Sequence, residues 1–181
     1  FVDQNNGWAV GDLGTVIHTA NGGNNWTPVA AGTAAVLFGV KFRDLNNGWI
    51  VGDNGTIRRT TNGGAGWFPQ PSGVSASLFY VDFMDLSNGY CAGSGGVILK
   101  TTNGGGTWVS LNSGSLNNFY IVSGMSNASV WAVGDTGLVI HSTNGGTTWN
   151  VENGNTSYDF FGLKVVNDTL AWLCGDYGTI V

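Results

Sequence analysis

Charged residues are scarce in this chain: 9% of its 181 residues are Asp, Glu, Lys or Arg, against roughly 25% in an average soluble protein. The 6 Lys and Arg are outnumbered by 11 Asp and Glu, which gives a net charge of −5. We therefore expect neither nucleic acid nor an anionic membrane surface as a partner. No run of 18 apolar residues occurs, so we expect no membrane insertion. With only 2 cysteines, no disulfide framework is indicated.

Glycine and tryptophan are abundant instead, and both recur at a fixed interval. The stretch HTANGGNNWT, residues 18–27, returns as RTTNGGAGWF, KTTNGGGTWV and HSTNGGTTWN, each copy 41 residues after the one before. A second motif, GWAVGDLG at 7–14, keeps the same interval, and all 8 Trp fall at two positions of the repeat. Such periodicity indicates an array of equivalent structural units.

One repeat divides into four short apolar stretches separated by Gly, Asn and Asp. We predict strands A to D at 37–42, 48–52, 55–61 and 66–71, because these turn residues supply the positive φ of tight hairpins. Four hairpin-linked strands per repeat predict an all-β fold, a β-propeller of 41-residue, four-stranded blades. A β-helix, the alternative, uses shorter coils. The repeats lie approximately at 1–35, 36–76, 77–117, 118–158 and 159–181.

The segment GWIVGDNGTIRRTTNGGAGW, residues 48–67, resembles the repeat of the YCF48-like family, the photosystem II stability and assembly factor type. That repeat belongs to the wider BNR or Asp-box propellers. The resemblance covers essentially the whole chain and implies a ring of about seven blades. Residues 165–181 repeat the register of 1–17, so we expect four full repeats plus a partial fifth. The chain would then be an arc of a larger ring, or would complete one by self-association through incomplete edge blades.

The Asn-Gly-Gly-x-x-Trp turn is interpreted as a structural staple rather than a site of chemistry. The Asp-box normally reads Ser/Thr-x-Asp-x-Gly-x-x-Trp, and here Asn replaces the Asp. An Asn side chain still accepts hydrogen bonds from backbone N–H groups, and the Trp ring buries a large area on the blade. The residues assigned to this role are Asn21, Asn62, Asn103, Asn144, Trp26, Trp67, Trp108 and Trp149.

A basic or titratable side chain recurs at one height on strand C. As a stripe it would grip an acidic partner, which is what the assembly-factor resemblance would suggest; the alternative is a solvated or turn-bonded side chain. The candidate binding residues are His18, Arg58, Arg59, Lys100 and His141. The two His lie three blades apart and no Cys or carboxylate shares their spacing, so no metal site is predicted.

Catalysis is the weaker hypothesis, because Asp-box glycoside hydrolases need acids that break the repeat. Only Glu152 and Asp159 are non-repeating acids in a connection from strand D to the next strand A. A sialidase would need an arginine cluster, and the chain has three Arg. No nucleotide or cofactor motif is present, so we predict no enzyme and no cofactor. A glycoside hydrolase fragment (sialidase or endo-glucanase-like) and a carbohydrate-binding propeller are the alternatives.

Two further groups of residues carry predictions about packing. Aromatic residues recur near the start of each strand A; most are expected in the core between blades, with the first of each pair as the candidate to line the rim of the central channel. These aromatics are Phe38, Phe79, Tyr80, Phe119, Tyr120, Phe160 and Phe161. Cys91 and Cys174 are interpreted as small buried hydrophobes.

Together these observations predict a non-enzymatic propeller that binds another protein, as an assembly or cell-surface scaffold. The Asn-, Gly-, Thr- and Trp-rich, Lys-poor composition predicts a location outside the cytoplasm, whether secreted, on the cell surface, or in the periplasm or thylakoid lumen.

Overall fold

The computed structural model describes residues 1–181, and its strands form five antiparallel sheets in sequence order. The first holds β1 (Gly7–Val10), β2 (Thr15–Thr19) and β3 (Thr27–Ala30); the second β4 (Leu37–Phe42), β5 (Gly48–Gly52), β6 (Thr56–Thr60) and β7 (Phe68–Pro69); the third β8 (Leu78–Phe83), β9 (Gly89–Gly93), β10 (Ile98–Thr101) and β11 (Val109–Leu111); the fourth β12 (Phe119–Gly124), β13 (Val130–Gly134), β14 (Leu138–Ser142) and β15 (Asn150–Asn153); the fifth β16 (Phe160–Asn167) and β17 (Leu170–Gly175). The all-β propeller fold with four-stranded blades is confirmed, while the number of blades in the ring and the repeat boundaries stay predictions.

The sequence located the inner strands of a blade well and the outer strand poorly. Strands A and B of the second blade were predicted at 37–42 and 48–52, the bounds that β4 and β5 have. Strand D, predicted at 66–71, is limited to Phe68–Pro69. Trp67 turns its ring away into the blade interface, and Pro69 has no N–H to donate to the ladder.

Helical structure is confined to single turns between strands B and C. Four blades have a three-residue 3-10 turn here: Asp12–Gly14, Ser94–Gly96, Asp135–Gly137 and Asp176–Gly178. The second residue of these turns adopts a positive φ of 53° to 64°. No helix is long and apolar enough to cross a membrane.

The hydrophobic core lies between successive blades. Each of four buried clusters joins residues of two neighbouring sheets. At the centre of one interface, Phe83 at the end of β8 stacks on Trp49 of the preceding blade, with ring centroids 3.6 Å apart. The edge of the Trp108 ring closes the other side at 5.8 Å. Gly89 lies against the Phe83 ring, where a Cβ atom would come within 2.6 Å. Stability therefore depends on contacts between nearest neighbours, as in other repeat proteins.

The first strands of successive blades, β4, β8, β12 and β16, contact one another and form the inner surface of the arc. We call this inner surface the channel. Its two ends differ in chemistry: the B–C turns lie at the upper end, and the turns between strands A and B lie at the lower end.

Candidate functional site

The Asn-Gly-Gly turn is held by two side chains, and the sequence reasoning had assigned a role to only one of them. In the second blade, Asn62 Oδ1 accepts the Gly66 N–H at 2.9 Å, and Thr60 Oγ1 accepts the Gly64 N–H at 2.9 Å. Thr60 is fully buried. The same pair of bonds recurs in every copy; the equivalent acceptors are Thr19 with Asn21, Thr101 with Asn103, and Ser142 with Asn144. The sequence does contain a signal for this second acceptor, because a Thr or Ser stands two residues before each Asn.

The tryptophans that follow the turns differ in burial. Trp67 and Trp108 are 6% and 9% exposed, whereas Trp26 is 37% exposed. Trp149 is half-buried and packs against the cluster between the third and fourth blades. Three of the four rings are therefore wholly or partly buried, as predicted, whereas Trp26 is exposed beside Phe1.

Two of the predicted basic residues, Arg59 and Lys100, reach across a blade interface. Arg59 Nη1 donates to the Gly104 carbonyl of the next blade at 3.1 Å, and its guanidinium lies 5.3 Å from the Trp49 ring. Lys100 Nζ donates to the equivalent Gly145 carbonyl at 2.8 Å. These cations neutralise no acid; they bind the carbonyl of the first glycine of a turn.

The remaining members of this group are also engaged within the fold. His18 stacks on Trp8 with centroids 4.6 Å apart, and His141 stacks on Trp131 at 4.0 Å. Arg58 Nη1 donates to the Trp67 carbonyl at 3.3 Å. The structure therefore engages all five residues in contacts within or between blades, and a binding role for them stays a prediction.

The carbonyl of the first glycine in each of three turns accepts a hydrogen bond from strand B of the preceding blade, so the turn links neighbouring blades. Trp8 Nε1 donates to Gly63 O at 3.1 Å, and Trp49 Nε1 donates to Gly104 O at 3.1 Å. Tyr90 stands at the equivalent position in the third blade, and its hydroxyl donates to Gly145 O at 3.2 Å. In this way one sequence motif links strand B of one blade to the C–D turn of the next.

Three cations that the sequence reasoning overlooked, Lys41, Arg43 and Lys164, line the lower end of the channel. Four equivalent residues, spaced by 41, lie side by side on the inner strands: Lys41, Asp82, Ser123 and Lys164. Lys41 Nζ lies 2.7 Å from Asp82 Oδ1, and Ser123 Oγ donates to Asp82 Oδ2 at 3.1 Å. Lys164 is exposed and makes no salt bridge. Their 41-residue spacing in the sequence could have indicated that these residues lie together.

These side chains border a cavity of about 360 Å³. Its lining includes Lys41, Arg43 and Lys164 but a single carboxylate, Asp82. Since the chain has only 6 Lys and Arg and the other three are bound to carbonyls, the cavity gathers all the remaining cations. An open concave site of this charge is suited to an anionic group such as a carboxylate.

The upper end of the channel carries an aromatic row, and here the prediction of which ring faces the channel was partly wrong. Phe119 and Phe160, the first of their pairs, are fully buried, whereas Tyr120 and Phe161 lie in the row. The reason is the register of the pairs within the repeat: Phe79, Tyr120 and Phe161 are spaced by 41 residues, so the second ring of the later pairs occupies the position of Phe79. Each inner strand has a β-bulge at this position, for example between residues 119 and 121 and between 160 and 162. A bulge of this kind re-aims one side chain.

The acids proposed for catalysis do not form a pair of free carboxylates. Asp159 Oδ1 accepts the Thr136 N–H at 2.7 Å and so links the fifth blade to the fourth. Glu152 belongs to strand β15, opposite Val139, rather than to a connecting loop. No group of three His, Cys, Asp or Glu side chains is placed to hold a metal ion.

The cysteines differ, contrary to the prediction that both are buried. Cys91 is fully buried, and burial raises the pKa of its thiol well above the ordinary value. Cys174 is exposed, because within residues 1–181 no further blade packs over that face of β17.

The chain matches the model of one protein family, described as photosynthesis system II assembly factor YCF48, over residues 25–112 and 72–156. No curated protein matches it significantly in sequence.

Several solved structures share its fold. YCF48 bound to D1 peptide has 17% identity and a TM-score of 0.58, over 99% of this chain and 88% of that one. YCF48 from Cyanidioschyzon merolae has 17% identity and a TM-score of 0.72, over 93% of this chain and 60% of that one. The GH74 enzyme of Niastella koreensis, also 17% identical with a TM-score of 0.72, is matched over 98% of this chain but 34% of its own length.

Proposed function

Because the chain belongs to the family of the photosynthesis system II assembly factor YCF48, we propose that it is a non-enzymatic propeller that binds a peptide segment of a protein partner and acts as an assembly scaffold. The observation that carries the proposal is the family match, which spans residues 25–156. A YCF48 structure of the same fold is bound to a D1 peptide, which supports a peptide as the kind of ligand.

The cavity at the lower end of the channel is the proposed contact. Lys41 is 33% exposed and shares its charge with Asp82. Lys164 and Arg43 are exposed and are the cations free to meet an acidic side chain or a terminal carboxylate. The rest of the chain is acidic, so a peptide carboxylate would be drawn to this cavity and repelled elsewhere.

A labelled peptide tests this proposal directly. The probe is a fluorescein-labelled decapeptide of alternating Gly and Glu with a free carboxyl terminus, followed by fluorescence anisotropy. We expect Lys164→Gln and Arg43→Gln each to weaken binding by about 1.5- to 5-fold, the range of an exposed ion pair.

The matched control is Asn25→Asp, an exposed position on the first blade that lowers the net charge by the same amount. We expect it to bind as the unchanged protein does. An equal loss in this control would mean that the peptide responds only to net charge, and the assignment of the cavity would be wrong.

A polysaccharide-cleaving function is the alternative, and the fold shared with a GH74 enzyme is the observation in its favour. Glu152→Gln is the direct test, because only a catalytic Glu152 would make hydrolysis of a β-glucan depend on it. Hydrolysis that this substitution abolishes would overturn the non-enzymatic proposal.

We further propose that the protein works outside the cytoplasm, on the basis of its low Lys and Arg content. Fractionation of the source cells with an antibody to this chain tests the location. Self-association through the edge sheets also stays a prediction; light scattering over a range of protein concentrations tests it.

A further inference from the structure

The upper end of the channel presents four aromatic rings in one continuous row, called here the aromatic row: Phe38, Phe79, Tyr120 and Phe161. They are spaced by 41 residues, one from each inner strand. Neighbouring ring centroids lie 5.5, 5.6 and 4.8 Å apart. Phe38 and Phe161 are 45% and 51% exposed, so the row forms a partly open apolar surface.

The backbone is shaped to hold the rings there. Each inner strand has its register shift at the ring position, for example between Leu37 and Gly39 and between Leu78 and Tyr80. The flanking Leu37 and Leu78 are fully buried in the core. In a strand without a bulge, successive side chains alternate between the two faces of the sheet. The extra residue breaks this alternation at the ring position. A repeated bulge is a feature found next to binding sites.

The surroundings of the row are acidic. The B–C turns and the loops that lead into the inner strands contain no Lys or Arg, and they carry five aspartates: Asp12, Asp53, Asp135, Asp159 and Asp176. Arg58, a cation of strand β6, is bonded to the Trp67 carbonyl. The Asp135 carboxylate near its hydroxyl, together with burial and the charge of Asp159, raises the pKa of Tyr120 to about 12. The Tyr120 ring is therefore neutral and lies close to two carboxylates.

We propose that the aromatic row binds the cationic side chains of a lysine- or arginine-rich peptide segment. Aromatic faces attract ammonium and guanidinium groups, and the surrounding carboxylates add a field of the complementary sign. The rings are tilted to one another by 68°, 39° and 43°. They therefore offer partial cages for a compact cation and no flat platform for a sugar chain. This site lies at the opposite end of the channel from the cationic cavity, and the inference does not depend on the function proposed for that cavity.

Isothermal titration with end-capped octalysine tests the inference, with cellohexaose as the neutral sugar probe. Phe79→Leu and Phe161→Leu keep an apolar side chain and remove the aromatic face. We expect each to weaken octalysine binding by about 2- to 5-fold, the range of one exposed cation–π contact. Asp159→Asn retains the acceptor for Thr136 and removes the charge, and we expect a loss of similar size.

Two controls separate this site from general attraction. Phe68→Leu changes a ring that is 64% exposed on β7, away from the row, and we expect no effect. Lys164→Gln alters the cationic cavity and is expected to leave octalysine binding at least as tight. Because Phe161 is half-exposed, its substitution tests the row even if Phe79→Leu disturbs folding.

Three results would overturn the inference. One is the absence of octalysine binding at millimolar concentration. Another is binding that Phe161→Leu and Phe79→Leu leave unchanged, which would be charge attraction alone. The third is binding of cellohexaose, lost on Phe161→Leu, without binding of octalysine, which would make the row a carbohydrate site.

Discussion

The aromatic contact between blades makes the sharpest stability prediction, and Phe83→Ala is the substitution that probes it. Phe83 is 1% exposed and lies between Trp49 and Trp108 of two blades. Removing a buried Phe side chain costs about 3–5 kcal/mol, because transfer energy is lost and a cavity remains. Of this, about 0.5–1.5 kcal/mol is the ring–ring term.

Phe83→Leu separates the two contributions. It keeps most of the buried volume but loses the stack on Trp49, so we expect a cost below about 1.5 kcal/mol. The control is Phe68→Ala, at a ring that is 64% exposed, which we expect to change the free energy of unfolding by less than about 0.5 kcal/mol.

Urea titration followed by both far-UV circular dichroism and tryptophan fluorescence measures these changes. Coincident curves from the two probes are required before a single free energy is extracted, since repeat arrays do not always unfold in one step. In a thermal scan, Phe83→Ala should lower Tm by roughly 6–20 °C. A loss below about 1 kcal/mol, or one no larger than that of Phe68→Ala, would refute the reasoning.

Three further predictions concern the turns and the thiols. Thr101→Val removes a buried acceptor that holds a turn N–H at 2.8 Å and should cost about 1–3 kcal/mol in a urea titration, whereas exposed Thr102→Val should cost almost nothing; equal losses would contradict this. Backbone N–H donors lower the pKa of Asp44 below 3.8, so its stabilisation is complete above that value and is lost as the pH falls through the folded pKa; the acid limb of a melting-temperature profile should flatten in Asp44→Asn, and an unchanged limb would count against it. Ellman's reagent should label one thiol per native chain, exposed Cys174, and reach buried Cys91 only on unfolding; two fast thiols would disagree with the fold.

The central strands of each blade and the turns between them were predictable because their determinants are local. Strands β4 and β5 have the predicted bounds, since their apolar stretches are bracketed by residues that adopt positive φ. The Asn62 turn could be anticipated for the same reason. Its acceptor and the N–H groups that it binds lie within four residues of each other.

The channel could not be read from the sequence, because its features depend on which blades are neighbours. Arg59 was a candidate for binding a partner, with a turn-bonded side chain as the alternative, and it reaches a carbonyl 45 residues away on the next blade. Lys41, Arg43 and Lys164 attracted no attention as separate residues, yet the arc brings them to one cavity.

What the sequence alone determined is therefore the repeated unit: its period, its inner strands and the turn that closes it. Each of these depends on contacts within about 40 residues of chain. The tertiary structure decided which face of each strand meets another blade and which meets the channel. The bulge at Tyr120 shows why. One extra residue in the strand changes which face of the sheet the following side chains occupy. The amino-acid composition of the strand is the same with or without the bulge.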